Sequence, residues 1–301
     1  MARVIVLAGG NSNEREVSIR SGSAVASALK QQGHQVKLID PKREYNLYIK
    51  EFKKVDVIFP ALHGMGGEDG SLQELLEQNK IKFVGSDSKS SRLCFDKFAY
   101  YNFLKNHKIL MPLTELVDYE EFINSKLGRN PFVIKPNDGG SSIDTLIIRD
   151  VSKINQNEIK ELFSRYDKLI LQELIEGNEL TVAVLGDKSL PVIEIIPPMD
   201  QEFDYSNKYN GRTKELCTPI NVNLDNQKLT QELALKVHNL CGCRDLSRTD
   251  IMLGENRKQY VLETNTIPGL TDQSLVPKSA AVSGIKMTRL CDELIKFALT
   301  H

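Results

Sequence analysis

No run of 18 apolar residues occurs in the chain, so a membrane-spanning helix is not expected. Charge of one sign is also lacking. The 39 basic and 40 acidic residues leave a formal net charge of -1, so no overall field draws the protein to nucleic acid or to an anionic membrane. Any basic side chain that matters acts locally. Cysteine is sparse: Cys94, Cys217, Cys241, Cys243 and Cys291 are odd in number and lack paired CxxC spacing, which argues against a zinc ribbon and for reduced thiols. Met1 to Leu7 enter a short apolar stretch directly, with one arginine, unlike a secretion signal. A cytoplasmic protein is expected. Repeats and low-complexity tracts are missing too. What remains is 301 residues with 41% hydrophobic content, enough for a large core and two or three domains.

The first 90 residues read as βαβ alternation. Arg3 to Leu7 is a strand ending at Ala8-Gly9-Gly10, Ser18 to Leu29 has helical apolar spacing, and Gln35 to Ile39 is a second strand. Val55 to Ala61 is a continuous apolar run, as in a strand buried on both faces, and Ser71 to Gln78 is the next helix. An open parallel sheet follows, with a boundary at Gly85-Ser86. The rhythm then changes. A helical stretch from Ser90 to Lys105 leads to strands Phe132 to Lys135 and Thr145 to Ile148 around the loop Asn137 to Ser142. Strands Leu169 to Leu174, Leu180 to Leu185 and Val192 to Ile196 come next. Pro197 to Pro219 has little periodicity, and a loop of that length in a compact domain is usually functional or disordered. Helix Glu232 to Leu240, strands Leu246 to Leu253 and Tyr260 to Thr264, and an amphipathic helix from Ile285 to Leu299 complete the pass.

Asp250 and Glu263 lie on two strands joined by Gly254 to Gln259, and an antiparallel pairing centred there sets them nearly opposite each other. Facing carboxylates repel, so the pair either points into water or holds a cation. Asn265, two residues beyond Glu263 and on the same face, adds a neutral oxygen, and such a set suits magnesium better than zinc. Arg248 adds an anion-binding group to that surface. A solvated acidic hairpin is the competing reading. Upstream, Lys135-Pro136 precedes Asn137-Asp138-Gly139-Gly140-Ser141-Ser142, where adjacent glycines let backbone N–H groups form a nest for phosphate. It matches neither GxxxxGK[ST] nor GxGxxG, and a simple turn is its dull alternative.

Taken together, these segments resemble the D-alanine:D-alanine ligases of the ATP-grasp superfamily over nearly the whole chain. The resemblance rests on Gly9-Gly10-Asn11-Ser12-Asn13-Glu14-Arg15-Glu16-Val17-Ser18, His63-Gly64 with Gly67-Glu68-Asp69-Gly70, Phe83-Val84-Gly85-Ser86 and Asp96-Lys97. It continues through Lys135-Pro136 with Gly140-Ser141-Ser142, Gly177 with Glu179, Lys208-Tyr209, Arg248 with Asp250, and Glu263-Thr264-Asn265-Thr266-Ile267-Pro268-Gly269. The implied architecture is α/β, an ATP-grasp fold of three consecutive α/β domains with an amino-terminal open parallel sheet. Its divisions fall at residues 1–90, 91–175 and 176–301. The implied activity is ATP-dependent joining of two D-alanines through an acyl phosphate, for peptidoglycan precursors.

The resemblance also implies roles. Lys97, Lys135, Gly140, Ser141 and Ser142 go to the ATP phosphates, Gln172 to adenine and Glu179 to the ribose. Asp250, Glu263 and Asn265 go to two magnesium ions, with manganese as a substitute. Glu16, Ser141 and Tyr209 form a hydrogen-bonded group over the substrates, and Glu16 and His63 lie near the first D-alanine. Arg248 and the Gly269 backbone face the transition state, while Ser274 and Leu275 hold the second carboxylate. Lys208-Tyr209 favours an amine over D-lactate as nucleophile. A homodimer is expected on the same ground.

Two positions depart from the family pattern. The phosphate loop usually reads Gly-Ser-Ser-Val-Gly, and here the last glycine is Asp144. At about 5 Å from a phosphate its charge would cost roughly 3 kcal/mol at an effective dielectric near 20, whereas pointing outward it would cost little. Asp144→Gly is expected to tighten ATP binding, and an unchanged or weaker affinity would mean that the side chain faces away. Gln172 stands where a glutamate usually meets the adenine amino group, and a neutral acceptor there is weaker by about 1 kcal/mol. These departures leave two alternatives: a nucleotide-binding paralogue that ligates poorly, and a dipeptide ligase for other amino acids.

Overall fold

The computed structural model describes residues 1–41, 45–197 and 213–301, and within them three sheets follow one another along the chain. The first contains β1 (Arg3–Leu7), β2 (Gln35–Ile39) and β3 (Val57–Pro60), ordered β2-β1-β3 and parallel throughout. Helix α1 (Arg15–Gln31) buries Val17, Ser18, Ser21, Gly22 and Val25, a stripe at spacings of three and four. Gly22 is required by contact, because a Cβ there would stand 2.2 Å from the Ala8 Cβ. The short α2 (Ile49–Phe52) and α3 (Ser71–Gln78) cover the other side.

The expected helix from Ser90 to Lys105 is two helices, α4 (Ser88–Phe95) and α5 (Lys97–Asn106). Asp96 separates them: its backbone is extended, and its side chain accepts the Ala99 N–H as the α5 cap. The second sheet is antiparallel, ordered β4-β7-β5-β6, from β4 (Thr114–Val117), β5 (Phe132–Pro136), β6 (Leu146–Ile148) and β7 (Leu169–Glu173). Helices α6 (Tyr119–Asn124) and α7 (Gln156–Arg165) pack on it.

The third sheet runs β11-β10-β8-β12-β13, with β9 (Lys188–Ser189) on β8. Its members are β8 (Gly177–Leu185), β10 (Ile193–Ile196), β11 (Lys214–Leu216), β12 (Leu246–Gly254) and β13 (Gln259–Asn265). One face is apolar: Leu180, Val182 and Ile251 join Tyr100 and Leu104 of α5 and Ala234 and Val237 of α8 (Leu224–Leu240) in one core. Alternation therefore puts Glu179, Thr181, Arg248, Asp250 and Met252 on the opposite face. Two last helices, α9 (Leu275–Val282) and α10 (Met287–Thr300), return to the first sheet, where Leu290, Leu294 and Ala298 pack with Val25 and Leu29 of α1. His34 Nε2 and Asp292 Oδ1, 3.0 Å apart, join β2's approach to α10.

Candidate active site

The β12–β13 hairpin pairs Asp250 with Glu263 and Arg248 with Asn265, one residue out of the register set at its turn, where Leu253 pairs with Gln259. Sequence spacing alone would not aim all four side chains one way. A register shift after Asp250 leaves Ile251 opposite Val261, so Leu262 is an extra residue on β13. In an unbroken strand Val261 and Glu263 would share a face. The bulge lets Val261 enter the core, fully buried, while Glu263 and Leu262 line the cavity on the other side.

Asp250 is held firmly. Arg248 donates Nε to its Oδ1 at 2.9 Å and Nη2 to its Oδ2 at 2.7 Å, and Thr181 Oγ1 donates to Oδ1 at 2.5 Å. The pair is bidentate and mostly buried, which fixes both side chains. Oδ1 accepts two of these bonds and Oδ2 one, so lone-pair capacity remains on Oδ2, and Glu263 faces Asp250 across the ladder. Asn265 uses Oδ1 to accept the Ile267 N–H at 2.9 Å, which orients that oxygen. Two carboxylates and an amide oxygen on one surface fit a hard divalent cation.

Two adjoining cavities, of about 650 Å³ and about 780 Å³, open on this face. Both are lined by Glu14, Lys97, Gly140, Ser141 and Glu263, which makes those residues the dividing wall. The smaller cavity also takes Lys135, Ser142, Gln172, Glu179 and Asp250. The larger takes His63, Arg248, Asn265, Gly269, Ser274 and Leu275. Lys208 and Tyr209 lie outside the described residues.

The phosphate loop is held at both stems. Lys97, the first residue of α5, donates Nζ to the Gly139 carbonyl at 2.6 Å and its backbone N–H to Asn137 O at 3.1 Å. Asn137 reciprocates, accepting the Phe98 N–H at 2.9 Å and donating Nδ2 to Asp96 at 3.0 Å. At the far stem Asp144 accepts from Arg165 Nη1 at 2.7 Å and from the Tyr166 hydroxyl at 2.6 Å. Of the two orientations open to Asp144, this is the outward one. A cation and a hydroxyl already engage its two oxygens, and the hydrogen bond to Asp144 raises the Tyr166 pKa. Ser141, Ser142 and Asp144 each have φ of 56°, a left-handed backbone that costs a non-glycine residue about 1–3 kcal/mol and persists only where surroundings impose it.

A correction concerns Glu16. It is exposed and lines neither cavity, whereas Glu14 is buried and accepts the Ser141 hydroxyl on Oε1. The sequence held a signal for this. Glu14 lies three, four and seven residues before Val17, Ser18 and Ser21 on the buried stripe of α1, and Glu16 falls off that stripe.

Gln172 is buried in the wall of the smaller cavity, and Glu173 beside it is exposed, as alternation requires. The amide orientation follows from its partner. Thr114 Oγ1 donates its single hydrogen to Pro112 O at 2.9 Å, so it can only accept, and it accepts from Gln172 Nε2 at 2.9 Å. Gln172 Oε1 is thereby left as the acceptor. In the larger cavity His63 Nε2 is 3.1 Å from Ser21 Oγ, and its Nδ1 is 3.8 Å from Glu68 Oε1, too far for a hydrogen bond. Glu68 uses its other oxygen for the Gly64 N–H at 2.9 Å. Ser274 Oγ meets the Thr271 N–H at 3.1 Å and the Thr271 hydroxyl at 2.8 Å, at the amino end of α9.

Comparison with known proteins agrees along the whole chain. Residues 43–86 match the family model described as D-ala D-ala ligase N-terminus, and residues 99–296 match D-ala D-ala ligase C-terminus. A D-alanine--D-alanine ligase of Thermotoga petrophila is 38% identical over 300 residues, covering 98% of this chain and 97% of the relative. That of Sphingopyxis alaskensis is 38% identical over 304 residues, covering 99% and 98%. Among solved structures, the D-alanine--D-alanine ligase from Bacillus anthracis complexed with ATP superposes with a TM-score of 0.85 at 29% identity, covering 100% of this chain and 98% of that one.

Proposed function

Because the chain belongs to the D-alanine:D-alanine ligase family, we propose that it joins two D-alanines to D-alanyl-D-alanine in the cytoplasm, consuming ATP and supplying peptidoglycan precursors. The observation that carries this is the shared wall: Glu14, Ser141, Lys97 and Glu263 separate a cavity fitted for nucleotide from one fitted for amino acids. Phosphoryl transfer across that wall brings the γ-phosphate to the first carboxylate.

A carboxylate does not react with an amine at neutral pH, so it is first converted to an acyl phosphate by ATP. Lys97, Lys135 and the backbone of Gly140, Ser141 and Ser142 position the triphosphate, Gln172 Oε1 accepts from the adenine amino group, and Glu179 holds the ribose. Asp250, Glu263 and Asn265 would hold magnesium, or manganese, which offsets charge on the transferring phosphoryl group when bound. Glu14, in place of Glu16, joins Ser141 beside the substrates, with His63 next to the first D-alanine. Ser274 and Leu275 seat the second carboxylate. When its amine attacks, Arg248 and the Gly269 N–H stabilise the oxyanion of the tetrahedral intermediate, and phosphate leaves. A homodimer is part of the same proposal.

The test is phosphate release from ATP with D-alanine, L-amino acids, D-lactate or no acceptor. Release with D-alanine alone, abolished by a chelator and restored by magnesium, is the expected result. Release only with another acceptor would replace the substrate, and silence with all would reduce the protein to a nucleotide binder.

A further inference from the structure

We propose that Asp144 is a positioning residue for the nucleotide: its carboxylate latches the far stem of the phosphate loop to the end of α7, keeping the loop in the form that receives a triphosphate. The inference rests on the assignment of the smaller cavity to ATP. It goes beyond that assignment because a glycine, the usual residue here, offers no side chain to latch.

The geometry is specific. Each Asp144 oxygen has its own donor, Arg165 Nη1 on Oδ1 at 2.7 Å and the Tyr166 hydroxyl on Oδ2 at 2.6 Å. Both donors sit where α7 ends, Arg165 in its last turn and Tyr166 at its cap, so they belong to a fixed element. The Asp144 side chain is 20% exposed and that of Arg165 48%, so solvent and salt weaken the ion pair, and the part-buried Tyr166 hydroxyl is the better protected of the two contacts. Asp144 itself does not line the nucleotide cavity, whereas Ser142, Ile143 and Tyr166 do. It acts through them.

The backbone supplies the reason a latch is needed. Three of the four residues from Ser141 to Asp144 are non-glycine residues in the left-handed region, at φ of 56°. Such a run relaxes unless something imposes it. The near stem is tied down by Lys97 and Asn137, and the Glu14 contact holds the middle at Ser141. Asp144 completes the suspension at the far end. Aspartate suits the position because it tolerates a left-handed backbone better than most side chains.

A latch that preorders the loop favours the bound nucleotide equally before and during reaction. Its loss therefore raises the KM for ATP and leaves kcat in place. The test compares Asp144→Asn, which keeps backbone tolerance but loses the charge, with Asp144→Gly, which relieves strain and removes the latch. Arg165→Gln and the double variant D144N/R165Q complete the set. Calorimetric affinity for a non-hydrolysable ATP analogue, steady-state kinetics and amide exchange over residues 139–146 are measured on each. Both Asp144 variants are expected to bind the analogue roughly three- to tenfold more weakly, the size of one or two net hydrogen bonds. Their kcat should stay within about twofold. Exchange should quicken in the loop but not in β5 or α7, and the double variant should be no worse than Asp144→Asn. Analogue affinity at or above wild type in Asp144→Gly, with loop exchange unchanged, would overturn the latch, as would a fall in kcat at constant affinity. Analogue binding and amide exchange involve no amino acid, so an error in the acceptor leaves this outcome readable.

Discussion

Glu14 and Glu16 stand two residues apart, carry the same charge and differ only in which side of α1 they meet. Glu14 is 8% exposed and accepts from Ser141, whereas Glu16 is exposed and its helix turns it away from both cavities. Replacement by glutamine removes the charge while keeping the shape. Glu14→Gln removes a charge-assisted hydrogen bond worth about 1.5–3 kcal/mol, so kcat/KM for D-alanine should fall by about ten- to a hundredfold. Glu16→Gln should leave it within about twofold, as surface changes do. Equal losses from the two would return Glu16 to the site. The residue types needed for chemistry were legible in the sequence, because carboxylates, lysines and glycines announce phosphate and metal binding by composition. Their direction was less legible. Glu14 could be found from the stripe Val17, Ser18, Ser21, whereas Asp144 could not, because its partners Arg165 and Tyr166 lie 21 and 22 residues away with no periodic relation to it.

At the scale of elements, strand positions followed from local alternation and apolar runs, and β1, β2 and α3 have the bounds their residues imply. The bulge at Leu262 did not. It depends on which residues α5 and α8 offer to the core face, and those contacts are far apart in sequence. Behind the acidic hairpin, Tyr100 of α5 makes a 2.6 Å hydroxyl contact with Thr264, and Thr264 a 2.9 Å contact with Thr249. All three are buried on the face opposite Asp250 and Glu263. The chain of hydroxyls sets the depth of β12 and β13 against the helix that begins with Lys97. Tyr100→Phe keeps the ring and leaves a buried hydroxyl short of one partner, a loss of about 1–3 kcal/mol. A lower denaturant midpoint at unchanged slope would register it. An unchanged midpoint would mean that Thr249 and Thr264 satisfy each other without help.

At the scale of the whole molecule, two buried titratable groups flank the start of β12, and they respond to acid in opposite ways. His238 of α8 lies 2.7 Å from Ser247 Oγ, and burial lowers its pKa to about 4. A histidine with a depressed folded pKa adds stability at high pH and loses it as pH falls from 6.5 toward 4, by about 3 kcal/mol in full. Asp245 accepts the Gly85 N–H at 2.8 Å, joining the end of the first sheet's region to the third sheet, and burial raises its pKa to about 6. A carboxyl with a raised folded pKa is most stabilising below 3.8, and that stability is lost as pH rises through about 6, again by about 3 kcal/mol. Between pH 4 and 6.5 the two slopes nearly cancel. Single substitutions separate them. Relative to wild type, His238→Gln should gain stability as pH is lowered from 7 to 4.5. Asp245→Asn, which can still accept from Gly85, should lose relative stability over the same range. Urea titrations of the three proteins at both pH values give the differences directly, and parallel shifts in the two variants would mean that folding does not move the two pKa values in opposite directions.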